Sequence, residues 1–406
     1  MRLRTALTSA VAVLAVAGGG VAAYETLGTG SQPGSVTAAQ GTAELSPLPP
    51  PPAKLVVALQ NAQGQVPWDQ PLRLVAEHAA ITSTSVTGPG GQALPGHATA
   101  DGSEWRSSNT LEPLETYTVH VAYQDLRGKS HTDDLKVLVA DSEKHLRPVL
   151  NPAMSAVVGI GQPAIVTFNR TVPDSEKADV ERRLTISTSP SVEGSWHWIS
   201  GTEIHWRPQN YWAPGTTVTF GVNLAHLYLG DGVWGERDAH TATYRIGDSH
   251  VSKVDVKNHS MQVFANGKLV KTFKISAGRE DKWPTMGGVH IALDKAPTVI
   301  MDSATVGIPR NSPDGYYETV KWDVRISNGG AFVHSAPWSV ADQGNTNVSH
   351  GCVNLAPSDA EWFYNFSQRG DIIDIFNTPR LPVRWDAGTA DWNMSWADWL
   401  AGSALH

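Results

Sequence analysis

The sequence uses cysteine once in 406 residues. A thiol present once cannot close an intramolecular disulfide, so Cys352 serves either as a small buried hydrophobe or as a reactive group. Charge is also sparse: 31 Lys and Arg against 39 Asp and Glu leave a net charge of −8. With no basic run anywhere, nucleic acid is not an expected partner. Long apolar runs are missing except from about Ala6 to Ala23, behind Arg2 and Arg4. That pattern fits a secretory signal or an uncleaved anchor over 1–26, contacting the membrane. No cysteine lies near this leader, which excludes anchoring through a lipid-modified thiol. Either alternative puts the body of the chain outside the cytoplasmic membrane, in the cell envelope.

What is abundant is turn and ring chemistry: 37 Gly, 26 Pro and 15 Trp suit a mainly β protein with aromatic-filled cores. Residues 27–53 end in Pro47 and Pro49 to Pro52, a polyproline tether whose task is reach. From Lys54 to Asp248 the pattern is short alternating runs, such as Val119-His120-Val121 and Thr217 to Val222, with no long helical period. A shift of 101 residues lays Trp105 on Trp206, Leu111 on Trp212, Pro113 on Pro214, Thr116 on Thr217 and Val119 on Phe220. One offset repeating the same punctuation predicts two copies of one all-β unit, at 54–147 and 148–248, each of immunoglobulin-like sandwich size. Neither copy carries a catalytic constellation, so a spacer or wall-docking role is expected of them.

A third unit opens near Val251. Met261 to Ala265, Asn266-Gly267 and Lys268 to Ile275 predict a hairpin with a type I′ turn, and the β pattern continues from Pro284 to Ile291. Residues 301–317 read as a long lid-like loop. Ser358-Asp359-Ala360-Glu361 is a capping-box candidate for a helix that stops at Gly370, and Asp371 to Phe376 returns as a strand.

Chemistry concentrates in Ser349-His350-Gly351-Cys352-Val353-Asn354, with His334 eighteen residues before the thiol. Imidazole takes a thiol proton, which is the minimum for a cysteine nucleophile. Gly351 lets backbone approach a bound group, and the amides at 350–352 are candidates for an anion-binding concavity. His334, His350 and Cys352 offer three zinc ligands. A closed structural site takes four, and the spacing matches no finger, so no metal and no cofactor are expected.

His334-Ser335-Ala336-Pro337-Trp338 followed by Ser349 to Asn354 resembles the signature of L,D-transpeptidases, with their YkuD-type catalytic domain. The likeness extends through Met301-Asp302-Ser303 and Asn311 to Tyr316, and is greatest to the multi-domain mycobacterial type. It implies two immunoglobulin-like domains, then a β-rich catalytic domain at 249–378 with one or two helices. It also implies a cysteine acyltransferase: Cys352 as nucleophile, His334 as base, and Ser335 orienting that base through its carbonyl. His350 and Gly351 would support the loop and the oxyanion. Met301, Tyr316, Gly330, Trp338, Ser349 and Asn354 would line or close the substrate site. The implied substrates are peptidoglycan stem peptides, a tetrapeptide donor losing D-Ala and a diaminopimelate amine accepting, which makes a 3→3 cross-link. Carbapenem β-lactams are the implied inhibitors. Two alternatives remain: an L,D-carboxypeptidase using water as acceptor, and a non-catalytic wall-binding protein.

The tail at 379–406 brings Trp392, Trp396 and Trp399 to i, i+4 and i+7, with Leu400 at i+8. This predicts one face of a helix, started by Asp391 or Thr389 and docked between domains.

Overall fold

The structure is a computed structural model that describes residues 49–381 and 390–405. The expected leader and all but the last residues of the tether lie outside the described residues, as does Thr389. No helix among the described residues is long and apolar enough to cross a membrane.

Three bodies of sheet follow one another along the chain. In the first, Lys54–Val57, Pro71–Glu77, Glu104–Thr110 and Gly96–Ala98 form one sheet, and Ala79–Thr87, Thr116–Asp125 and Ser130–Leu138 form another. Leu74, Trp105, Val119, Val121 and Val139 fill the space between them. In the second, a sheet built on Thr217–Val222 and His240–Ile246 faces one built on Glu203–Pro208 and Ala164–Phe168. Its core holds Val166, Ile204, Trp206, Trp212 and Phe220.

The 101-residue repeat has a packing counterpart. Trp105 is the second residue of Glu104–Thr110 and Trp206 the fourth of Glu203–Pro208, and both rings are buried. A glycine on the neighbouring strand lies against each ring. A Cβ on Gly96 would come within 2.1 Å of Trp105, and one on Gly194 within 2.2 Å of Trp206. Each indole thus needs a bare backbone above it. His145–Leu146, ahead of the second copy, pairs in parallel with Trp234–Gly235 of that copy.

The third body has two sheets. Five strands run in the order Lys268–Lys274, Ser260–Ala265, His250–Asp255, Ile372–Phe376, Gly288–Ile291. Four more run in the order Asp294–Asp302, Tyr317–Arg325, Phe332–Ser335, Val353–Leu355. Asn266 and Gly267 both have positive φ, as a type I′ hairpin requires. The helix after Cys352 spans Pro357–Phe366, and its start differs from the expected capping box. Pro357 takes the first helical position and no side chain caps the end, because proline already supplies helical φ and has no amide to satisfy. The helix ends before Ser367, and Gly370, at φ +86°, turns the chain into the next strand. The strand expected from Pro284 is confined to Gly288–Ile291.

This third body shares core with the second sandwich: Ile291, Leu293 and Ile372 pack among its buried residues. The backbones meet directly, Gly159 and Gly161 amides donating to the carbonyls of Arg369 and Gly370 at 2.7 and 2.9 Å. A Cβ on Gly159 would come within 2.3 Å of the Asp371 amide nitrogen.

The tail is not one helix. A 3₁₀ turn at Ala390–Asn393 is followed by a separate helix, Trp396–Leu400, which Ser395 caps through its hydroxyl and the Asp398 amide at 3.1 Å. Serine competes well for a helix start, so it breaks the stripe. The three indoles still converge, on a cation: the Arg207 guanidinium lies 4.7, 5.4 and 4.3 Å from the rings of Trp392, Trp396 and Trp399. Arg207 is 2% exposed, so these cation–π contacts are desolvated ones. Beside it, fully buried His205 is held between Asp391 at 2.9 Å and Glu203 at 2.7 Å. Burial by itself lowers an imidazole's pKa. The Asp391 and Glu203 carboxylates more than offset that and lift His205 to about 9. The tail also reaches the third body, where Asn393 exchanges two 2.7 Å hydrogen bonds with the Val289 backbone.

His205 therefore carries a pH signature. Its folded pKa lies above the ordinary 6.5, so its contribution is complete below that value and is lost as pH rises through about 9. Wild-type melting temperature should fall across that window. Asp391→Asn should cost on the order of 3 kcal/mol near neutral pH, by leaving a buried cation short of a partner, and should flatten the pH dependence. Parallel melting curves for the two proteins across the window would remove His205 from the account.

Candidate active site

Local pairing builds the site. Phe332–Ser335 runs parallel to Val353–Leu355, with Val333 opposite Val353, His334 opposite Asn354 and Ser335 opposite Leu355. Val333 and Val353 are fully buried in the core. Strand side chains alternate, so His334 and Asn354 project to the other face, and Cys352, two residues before Asn354, shares it. That face opens into a cleft of about 340 Å³ whose lining includes Met301, Tyr316, His334, Trp338, Ser349, His350, Cys352 and Asn354.

Three expected site residues do not line the cleft, and each acts through backbone. The Ser335 carbonyl accepts a 3.0 Å hydrogen bond from His334 Nδ1. A carbonyl can only accept, so the proton sits on Nδ1 and Nε2 keeps its lone pair. The Gly330 carbonyl lies 3.9 Å from Cys352 Sγ. Gly351 has φ +123°, a conformation that L side chains rarely adopt, and a Cβ there would meet nothing nearer than the Trp283 carbonyl at 4.0 Å. Conformation rather than crowding requires glycine there.

The loop before the thiol is closed by Ser349. Its hydroxyl donates to the Cys352 carbonyl at 2.7 Å and accepts the Gly351 amide at 3.1 Å. This corrects the expectation that consecutive amides at 350–352 face an anion, because the Gly351 donor is already engaged. Among the described residues the amides of His350 and Cys352 have no protein acceptor. Asn354 is 2% exposed and donates to Ser339 Oγ at 3.0 Å, so it braces the wall. Sequence reasoning missed Ser339, Asp342, Glu318 and Val348, which also line the cleft. Nothing in their local sequence separates them from ordinary surface residues.

Met301 stands opposite Glu318 at the far end of the first two strands of this sheet, bringing both to the cleft mouth. The lid between those strands is stapled. Ser303 and Tyr316 are joined by reciprocal contacts at 3.0 Å, Arg310 bonds both oxygens of Asp302, and Asp314 takes Arg279 at 2.7 Å and also Lys282. These contacts set the Tyr316 ring 5.0 Å from that of His350, which has Trp283 on another side at 5.8 Å. Trp338 stands half exposed, its ring 6.1 Å from that of His334.

Burial dominates the electrostatics. It pushes the Cys352 thiol up to about 11, against the Phe332 amide, which favours the thiolate. It brings His334 down to about 4, with the Ser335 carbonyl opposing, and lowers His350, with Arg279 adding to the effect. Tyr316 rises to about 12, through burial first and then the nearby thiol, and so stays a neutral hydroxyl donor. The resting pair at neutral pH is thus neutral thiol and neutral imidazole.

Comparison with known proteins agrees with this architecture. Residues 63–227 match a bacterial Ig domain and residues 249–375 an L,D-transpeptidase catalytic domain. L,D-transpeptidase 2 of Mycobacterium tuberculosis (strain CDC 1551 / Oshkosh) is 36% identical over 403 residues, covering 99% of this chain and 96% of that protein. L,D-transpeptidase 1 of M. tuberculosis (strain ATCC 25618 / H37Rv) is 38% identical over 56% of this chain and 83% of that one. A solved structure of the LD transpeptidase LdtMt1 in complex with imipenem superposes with a TM-score of 0.50 at 37% identity, covering 57% of this chain and 99% of that one. With a relative this similar along nearly the whole chain, a YkuD-type third body and immunoglobulin-like sheets before it, the chain belongs to the L,D-transpeptidases, a family of transferase-type enzymes.

Proposed function

We propose that this chain is an extracytoplasmic peptidoglycan cross-linking enzyme that works through a cysteine thioester. The observation that carries the reading is the shared face of His334 and Cys352, opening on one cleft, with the imidazole tautomer held by the Ser335 carbonyl. Nε2 is then the atom that takes the thiol proton. The sulfur attacks the carbonyl of the donor stem peptide, giving a tetrahedral oxyanion. Its donors are the amides of Cys352 and His350, with the Tyr316 hydroxyl as a third from the lid. The imidazolium returns its proton to the departing D-Ala amine, and the acyl group stays on sulfur. A diaminopimelate amine on a second stem then gives up a proton to His334 and attacks the thioester. The product is a 3→3 link and the thiol is restored.

Starting from a neutral pair has a consequence for selectivity. A thiol held near 11 is a poor nucleophile in solution terms, so proton transfer has to accompany attack. The thiol is thereby spared from oxidants in a compartment that promotes disulfides. A carbapenem ring carbonyl presents the same electrophile as the donor peptide, so Cys352 is the residue it would acylate, and the solved complex of a relative with imipenem supports binding of such a β-lactam. The two amino-terminal sandwiches act as a spacer between the envelope anchorage and the cleft. Water in place of the acceptor amine would make the same site an L,D-carboxypeptidase. Incubation with disaccharide-tetrapeptide separates the readings, since cross-linked dimer marks the transpeptidase and tripeptide alone marks the hydrolase.

Cys352→Ala should leave the fold intact and reduce cross-linking below about one per cent, because no other thiol exists. Intact-mass analysis with a carbapenem should show an adduct on wild type and none on this variant. Retention of the adduct would sink the covalent mechanism.

His334→Gln should slow acylation by roughly two to four orders of magnitude. Since burial depresses His334 to about 4, the acid limb of the wild-type acylation profile should lie well below the ordinary imidazole value of 6.5. Below that limb the base is protonated and activity is lost. An acid limb at 6.5 or above would count against His334 as the base, and a mild His334→Gln effect beside a severe His350→Gln one would transfer the base role to His350.

A further inference from the structure

One buried acid stands outside the chemistry just described. Five acidic residues are buried among the described residues, and four have partners. Glu115 pairs with Arg237, Glu181 takes Trp198 and Ser403, Asp371 takes His250, and Asp391 takes His205. Asp323 is 0% exposed, and neither of its carboxyl oxygens has a hydrogen-bond partner. An acid retained for the fold is normally satisfied, because burying a lone carboxylate is costly.

Register shows what this carboxyl faces. Val324 pairs with Val333 and Arg325 with Phe332 in an antiparallel ladder. The paired residues end at Val324 and Val333, and extending the same register by one step brings Asp323 level with His334. Val324 and Val333 point into the core, so Asp323 and His334 take the opposite face, the one that Cys352 and Asn354 share. On its other flank Asp323 pairs with Ala296, which carries no charge. The helix Pro357–Phe366 packs on the Val324 side, where Tyr364 meets Trp322. Nearby cations are engaged elsewhere. Lys295 bonds the carbonyls of Tyr364 and Ser367, Arg325 bonds those of Ser327 and Asn328 and approaches Asp294, and Lys321 is exposed. The groups near Asp323 with a proton to exchange are thus His334 and Cys352.

We propose that Asp323 is a positioning residue for the Cys352–His334 pair, a buried carboxyl whose charge state sets how readily the thiol gives up its proton. Neutral, it leaves the pair undisturbed. Ionised, it sets a negative charge beside the developing thiolate and holds that proton on sulfur. Burial raises its pKa to about 7, and its charge acts on Cys352 in the direction stated. Asp323 therefore changes state in the neutral range, where neither His334 nor Cys352 does.

The inference rests on Cys352 as nucleophile, and its test separates the two. The readout is iodoacetamide alkylation of Cys352 in the full chain, which follows thiolate whatever the enzyme's substrate. Wild type and Asp323→Asn should react alike near pH 5. The variant should react about tenfold faster near pH 9, and Asp323→Ala should follow the same course despite its smaller side chain. A variant-to-wild-type ratio that stays constant with pH overturns the proposal while leaving the carbapenem adduct on Cys352, and so the proposed function, untouched. A stability readout is independent of both. The folded pKa of Asp323 lies above its ordinary 3.8, so ionisation costs the fold progressively as pH rises from there through about 7. Asp323→Asn should melt progressively higher than wild type over that range and hold the gap above it, and a pH-independent difference counts against the buried-acid assignment.

Discussion

The site depends on one strand pairing. Two short segments, Phe332–Ser335 and Val353–Leu355, run parallel, and no tight turn can join parallel neighbours. The chain between them must travel around and return, and that crossover is the loop ending in Ser349 to Cys352. Its length, its 3₁₀ turn at Pro337–Ser339 and its glycine at positive φ are consequences of the parallel arrangement. Valine faces valine across the pair and anchors it in the core, which turns the next residues outward together. His334 and Cys352 share a face because two valines are buried.

A second constraint is the mounting of the catalytic body. It shares apolar core with the second sandwich, exchanges backbone hydrogen bonds with it through Gly159 and Gly161, and is strapped by the tail. The strap packs over two buried cationic side chains of the second sandwich, His205 and Arg207. Asp391 supplies charge to His205, and three indole faces supply the quadrupoles around Arg207. A flexible attachment would let the cleft tumble. This one holds it at a set orientation on the second sandwich.

In and around the cleft, burial rather than charge pairing sets the protonation states. Cys352, His334, His350, Tyr316 and Asp323 are all displaced toward their neutral forms, with burial the largest cause in each case. Neutral forms therefore predominate there at neutral pH for the thiol and the two imidazoles. The lid staples of Asp302, Ser303 and Asp314 keep Tyr316 beside the cleft without placing a full charge at the thiol.

Much of this was legible in the sequence, for local reasons. A unique thiol, a histidine eighteen residues before it and a glycine beside it mark the chemistry, because nucleophile, base and backbone approach each demand a residue type. The repeat was legible because each indole needs its punctuation at the same place, and the Asn266-Gly267 hairpin because few other residues tolerate that turn. The local signals failed where a competing local feature overrode them. Pro357 displaced the capping box, and Ser395 broke the tryptophan stripe into two turns. What only the tertiary structure decided is which residues become neighbours across distance. Asp391 meets His205, Ser339 meets Asn354, and Asp323 is buried with no partner. Sequence pattern reports period and turn chemistry along a segment. Burial and strand register are properties of the packed whole, and they decide whether an aspartate is a solvated surface group or a lone buried acid.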